Sequence, residues 1–224
     1  ANLPAYIAQA VSEGRPGELL NRITDAYRNA DQALTEALTY EIIEDSGTTA
    51  ALTLIKGDLL LVGGLGDSRV VLALDNQDGT LSAQALTLDQ SPVVAVEKQR
   101  VEKAGGEVRN EGQSGRIYAK GQMYPGLAVS RAFGDGDAKK YGVTTDPQFI
   151  GWKLRPQTDF AVILASDGVW NALDNEVASV IVGKYRANKD ANGAAKELVA
   201  SARQVWESVA QGRIDDISAV VLFL

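Results

Sequence analysis

The chain has 224 residues, 45% of them hydrophobic and 23% charged, which suits one soluble domain with a buried core and argues against a disordered tail. Its net charge of −7 is spread without the basic stripe that nucleic acid requires, and no apolar run approaches the roughly 20 residues that span a bilayer, so a soluble, intracellular protein (cytoplasmic or nuclear) is expected. Zero cysteines and zero histidines exclude disulfides, thiolate nucleophiles, sulfur-ligated zinc and imidazole chemistry within these residues, leaving carboxylates, amides, hydroxyls and oxygen-bound hard cations such as magnesium or manganese.

In chain order, Asn2 is placed to cap a first short helix. Leu19, Ile23, Tyr27, Ala30, Leu34 and Leu38 then recur at helical spacing, and Asp45-Ser46-Gly47 predicts the end of that long amphipathic helix. Thr48 to Ile55 and Leu59 to Val62 read as a hairpin around Lys56-Gly57-Asp58. Val70 to Leu74 reads as a third strand, and the alternating Leu81, Ala83 and Ala85 as a fourth after the turn residues 75–79. Strands in this meander order predict one antiparallel sheet. Ser91-Pro92 predicts an N-cap with proline at the first helical position, for a helix reaching about Ala104 before Gly105-Gly106. Phe160 to Ala165 is an apolar run of strand length. Helices are expected over about Asn175 to Tyr185 and about Gly193 to Gln211, the latter opened by Asp190 or Asn192. Ile217 to Leu224 reads as a final strand, apolar enough for burial on both faces. Strands and helices sharing one core predict an α+β layout, with no linker or repeat to divide residues 1–224.

Three aspartates punctuate these strands. Asp67 lies between two of them, in Gly66-Asp67-Ser68-Arg69; Asp167 follows the apolar run at 160–165; Asp215 precedes the final strand. Read singly, each is a turn former that bonds its own backbone. Read together, carboxylates at rigid strand ends form a candidate site for divalent metal ions.

Longer strings carry a resemblance. Ser46-Gly47-Thr48-Thr49-Ala50, Gly66-Asp67-Ser68-Arg69-Val70, Glu102-Lys103-Ala104-Gly105-Gly106-Glu107-Val108 and the stretch Leu127-Ala128-Val129-Ser130-Arg131-Ala132-Phe133-Gly134-Asp135 resemble successive motifs of the protein phosphatase 2C family. Asp146-Pro147, Ala165-Ser166-Asp167-Gly168-Val169-Trp170 and Asp215-Asp216-Ile217-Ser218 continue the series in the same order. The resemblance implies two antiparallel sheets packed as a sandwich and flanked by helices, in α-β-β-α layers, with two magnesium or manganese ions at one end. It implies metal-dependent hydrolysis of phosphoserine and phosphothreonine in proteins through a water activated by two metals, with no covalent phosphoenzyme and no other catalytic group. Residue by residue, it makes Asp167 and Asp215 metal ligands and puts Asp67 near a third, weaker ion.

Other positions carry two readings. Asn171 stands where the family usually has an acidic residue that helps to hold the additional metal, and its neutral amide lowers the expected affinity. Gly136 to Thr145, with Lys139 and Lys140, corresponds to the family's flap beside the active site; the plain reading is a solvated polar loop. Ser130 and Arg131 are candidates to orient ligands or phosphate, but an arginine beside an apolar strand is first a structural ion-pair partner. Trp170 is expected to fill core space behind Asp167. Gln90 replaces a common histidine in what reads as a surface turn remote from the chemistry, and Asp216 replaces an asparagine.

The family's Asp-Gly-His-Gly motif, which supplies a carboxylate bridging both metals, has no counterpart in these residues. The expectation is therefore a phosphatase 2C-like domain lacking its first strands and first metal-binding motif. The alternative is a catalytically inactive pseudophosphatase acting as a binding or regulatory module, so the partner is either a phosphorylated protein substrate or a regulatory protein.

Overall fold

A computed structural model describes residues 3–13, 18–111, 114–209 and 214–224. Its helices are α1 (Leu3–Glu13), α2 (Leu19–Ala37), α3 (Tyr40–Asp45), α4 (Ala95–Lys103), α5 (Gly136–Lys139), α6 (Asp167–Trp170), α7 (Asn175–Gly183) and α8 (Ala191–Val209). The strands are β1 (Gly47–Thr48), β2 (Ala50–Lys56), β3 (Leu59–Leu65), β4 (Arg69–Asp75), β5 (Leu81–Ala85), β6 (Gly106–Glu111), β7 (Ser114–Ala119), β8 (Pro125–Leu127), β9 (Phe133–Gly134), β10 (Gln148–Lys153), β11 (Asp159–Ala165) and β12 (Ala219–Phe223). Contacts divide the chain into one unit of Ala1–Ala50 with Gln90–Gln148 and another of Ala51–Asp89 with Phe149–Leu224. Among the described residues no helix is long and apolar enough to cross a membrane.

In the first unit the apolar stripe of α2 is realised, with Ile23, Ala26, Tyr27 and Ala30 buried. The helix does not run on to Asp45. Leu38 is extended at φ −109° and ψ 154°, Thr39 is extended too, and a new helix, α3, starts at Tyr40. The break allows Ile43 to be buried, whereas Leu38 on the old stripe stays exposed. Asn2, the proposed cap, and Gln211, the proposed end of α8, lie outside the described residues. The helix after Ser91-Pro92 also starts later than expected: Val94 N–H donates to Ser91 C=O at 3.0 Å, closing a turn, and Val94 takes the N-cap position. The β6/β7 hairpin went unread because its strands, GEVRNE and SGRIYA, lack apolar alternation. Residues 136–145 are not a solvated loop. Ala138 and Val143 are buried with Val101 of α4 and Ile117 of β7 in a small core.

In the second unit the anticipated meander is split between two sheets. β2 and β3 belong to the sheet ordered β10-β3-β2, while β4 and β5 belong to the sheet ordered β12-β11-β4-β5, and the chain crosses between them at Gly66-Asp67-Ser68. The cause lies in β4, whose residues are buried on both faces. Val70 and Leu72 join Leu60 and Val62 of β3 and Val162 of β11 in the layer between the sheets. Val71 and Ala73 face the other way, onto Ala178 and Val182 of α7 and Leu198 and Ala202 of α8. A strand with two apolar faces needs a layer on each. The result is the α+β sandwich expected from the sequence. β12 corrects the expectation of burial on both faces: it is an edge strand, with Val221 buried while Val220 and Leu222 are 61% and 42% exposed.

Candidate metal centre

Register places the aspartates. In the β12-β11-β4 part of the sheet, Ala165 pairs with Arg69 on one side and with Ala219 on the other, both antiparallel. Asp67 lies two residues before Arg69, Asp167 two residues after Ala165, and Asp215 four residues before Ala219. All three therefore emerge at the same end of the sheet, Asp67 and Asp167 half-buried and Asp215 exposed.

The Asp167 turn is fastened to the Asp215 segment from both sides. Ser166 N–H donates to Ser218 C=O at 3.1 Å, Ser218 N–H donates to Ser166 Oγ at 3.1 Å, and Ser166 Oγ donates to Asp216 C=O at 3.2 Å. On the other side of Asp167, Gly168 packs so tightly that a Cβ would stand 2.2 Å from the Asp216 carbonyl oxygen. Trp206 of α8 donates to Gly168 C=O at 2.7 Å, and Trp170, buried as anticipated, donates to Ala165 C=O at 2.8 Å. Asp215 bonds its own neighbour, with Asp216 N–H donating to Oδ1 at 2.8 Å.

The electrostatics are those of crowded carboxylates. Burial, then the charge of Asp167, and more weakly Asp89 and Asp215, push Asp67 up to about 6. Burial and the neighbouring Asp215 and Asp89 raise Asp167, partly offset by backbone N–H groups at 167 and 168. Among the described residues none of the three pairs with a lysine or arginine. Such a donor set suits a hard dication, which would offset the repulsion that now raises both groups. Among the described residues, however, no three His, Cys, Asp or Glu side chains are grouped so that they could hold a metal ion by themselves. Asn171 turns its Nδ2 toward Asp167 Oδ2 at 3.4 Å.

Sequence reasoning missed Asp89, whose charge bears on both Asp67 and Asp167. Its neighbourhood reads in the sequence as a remote surface turn, yet Gln90 is only 3% exposed, and Gln90 C=O accepts from both the N–H (2.9 Å) and the Oγ (2.8 Å) of Ser130. A short polar stretch between two apolar segments gave no sign of this.

The remaining candidates belong to the first unit. Arg131 is a structural partner of the kind anticipated: its Nη2 meets Glu97 Oε1 at 2.6 Å and its Nη1 donates to Asp146 C=O at 2.8 Å. Ser130 Oγ donates to Glu97 Oε2 at 2.6 Å. Lys139 is paired with Asp31, and Lys140 with Asp137 and with Glu44 at 2.9 Å.

Comparison with known proteins adds three kinds of likeness. The family model described as Protein phosphatase 2C matches residues 3–207. Two Arabidopsis thaliana proteins, Probable protein phosphatase 2C 72 and Probable protein phosphatase 2C 61, are 37% and 39% identical over 80% of this chain and 54% and 55% of their own lengths. The chain thus spans about half the length of these curated relatives. The crystal structure of serine-threonine phosphatase 2C from Toxoplasma gondii superposes with a TM-score of 0.78 at 25% identity, covering 100% of this chain and 75% of that one.

Proposed function

Because the chain belongs to the protein phosphatase 2C family, we propose that it carries part of the metal centre of a phosphatase that hydrolyses phosphoserine and phosphothreonine in proteins. In this reading Asp167 and Asp215 hold magnesium or manganese, and Asp67 with Asn171 lies beside an additional, weaker position. The observation that carries the reading is the placement of the three aspartates' segments at one sheet end, with Asp67 and Asp167 raised by burial and neighbouring carboxylates and, among the described residues, none of the three paired with a lysine or arginine. When bound, such ions lower the pKa of a coordinated water and neutralise charge developing on phosphoryl oxygens.

The chain's own groups supply position. Ser166 and Gly168 lock the backbone on either side of Asp167 to the Asp216 to Ser218 segment, so two carboxylates are presented from segments that cannot easily separate. Such preorganisation keeps ligands from having to be gathered when the ion arrives. Residues 136–145 act as a flap that influences substrate choice. Lys139 and Lys140 are already engaged by Asp31, Glu44 and Asp137, so the flap offers a fixed shape more than free positive charge.

Hydrolysis of a phosphothreonine peptide by the protein is expected only with added manganese or magnesium, and Asp167→Asn is expected to abolish it. Metal-independent turnover, or turnover that survives the substitution, would sink the assignment. The lack, among the described residues, of three side chains grouped to hold a metal, and an amide at Asn171, favour a second reading as a pseudophosphatase that binds a partner. Retention of the phosphopeptide without phosphate release, at saturating metal, would support that reading over the first.

A further inference from the structure

Two residues after Asp67, at the start of β4, sits an arginine with every side-chain nitrogen engaged. Arg69 Nε and Nη2 donate to the two carboxylate oxygens of Asp89 at 3.0 and 2.7 Å, and Nη1 donates to Asn175 Oδ1 at 2.8 Å. The guanidinium carbon also lies over the Trp170 ring, 5.4 Å from its centroid. These partners belong to separate segments. Asp89 follows β5, Trp170 closes the turn that begins with Asp167, and Asn175 opens α7, while Arg69 itself starts β4 two residues after Asp67. Its backbone position pairs with Ala165, two residues before Asp167.

We propose that Arg69 is a positioning residue for the metal centre, fixing Asp67 against Asp167 by pinning Asp89 and the Trp170 to Asn175 stretch to the start of β4. The proposal rests on the metal-centre reading above. It assigns Asp89 a place as well. With both oxygens held by the guanidinium fork, Asp89 is kept as a fixed neighbouring charge and does not swing in as a competing ligand. A planar fork is what this requires, because a lysine ammonium is a single point charge that cannot bind both oxygens of Asp89, reach Asn175 and stack on Trp170 at once. Groups that orient metal ligands from outside the coordination shell typically change metal affinity by about 10-fold to 100-fold when lost.

The test is manganese binding by the protein, read from free Mn2+ by electron paramagnetic resonance at a temperature where circular dichroism shows every variant folded. Arg69→Lys and Arg69→Gln are each expected to weaken binding about 10-fold, with lysine giving no rescue. Asn175→Ala, which leaves the Asp89 pair in place, is expected to weaken it less. Wild-type affinity in the lysine variant would overturn positioning in favour of charge alone. Unchanged affinity in all variants, with only a lower melting temperature, would reduce Arg69 to a stabilising role and leave the metal centre standing. Should the Arg69 variants fail to fold, unchanged affinity in Asn175→Ala overturns the proposal. Absence of binding by the unsubstituted protein overturns the metal centre and this inference together.

Discussion

Gly168 stands where any side chain would run into the backbone of the neighbouring segment, 2.2 Å from the Asp216 carbonyl oxygen. The obstacle is main chain, so Gly168→Ala must push the Asp167 turn away from Asp216 or distort both. The expected cost is about 1–3 kcal/mol of stability, the range for overpacking a tight contact. Manganese affinity should fall with it, because the displaced residue is the neighbour of Asp167. A thermal melt with and without manganese measures both; an alanine variant with unchanged melting and unchanged manganese stabilisation would mean the approach is looser than this. Asp167-Gly168 was legible as a turn and as a motif, but the reason for glycine lies in residues almost fifty positions away, in Asp216 and Ile217.

At the scale of elements, the best-defined charge network joins α4 to both ends of the segment around α5. Glu97, 1% exposed, accepts from Arg131, Arg100 and Ser130, while Arg131 reaches Asp146 C=O and Arg100 reaches Gly142 C=O. Burial alone would raise the Glu97 carboxyl, but the bonds from Arg131, Arg100 and Ser130 prevail and bring it down to about 2. A carboxylate lowered by folding stabilises the folded state above its unfolded value near 4.5 and loses that contribution as pH falls through about 2. Acid unfolding should therefore steepen between these values, and Glu97→Gln should flatten that limb while costing about 3–5 kcal/mol at neutral pH, as broken buried pairs do. Hydrogen exchange in residues 131–146 should quicken in the variant. An acid limb identical to that of the unsubstituted protein would contradict the role given to Glu97.

Elements with a strong apolar period were legible in advance, α2, β11 and α8 among them, because burial of one face or of both is written into the spacing. The β6/β7 hairpin was not, since polar residues dominate its strands. The break at Leu38 was hidden for another reason: the stripe continues through it, and only the burial of Ile43 favours a restart.

For the whole molecule, the three aspartates were readable as strand punctuation, but their placement at one sheet end depends on register and sheet order, which no local pattern encodes. The chain passes from one sheet to the other at Asp67, and antiparallel pairing of β4, β11 and β12 brings the three aspartate segments to one end. Asp89 and Arg69 escaped notice because they act through charge and hydrogen bonds on residues distant in sequence. The central claim is that this end of the sheet binds a divalent metal. Anomalous scattering from a crystal of the protein soaked in manganese tests it directly. A manganese peak is expected within about 2.0–2.3 Å of carboxylate oxygens of Asp167 and Asp215. A crystal with manganese bound elsewhere and no peak at these carboxylates would contradict it.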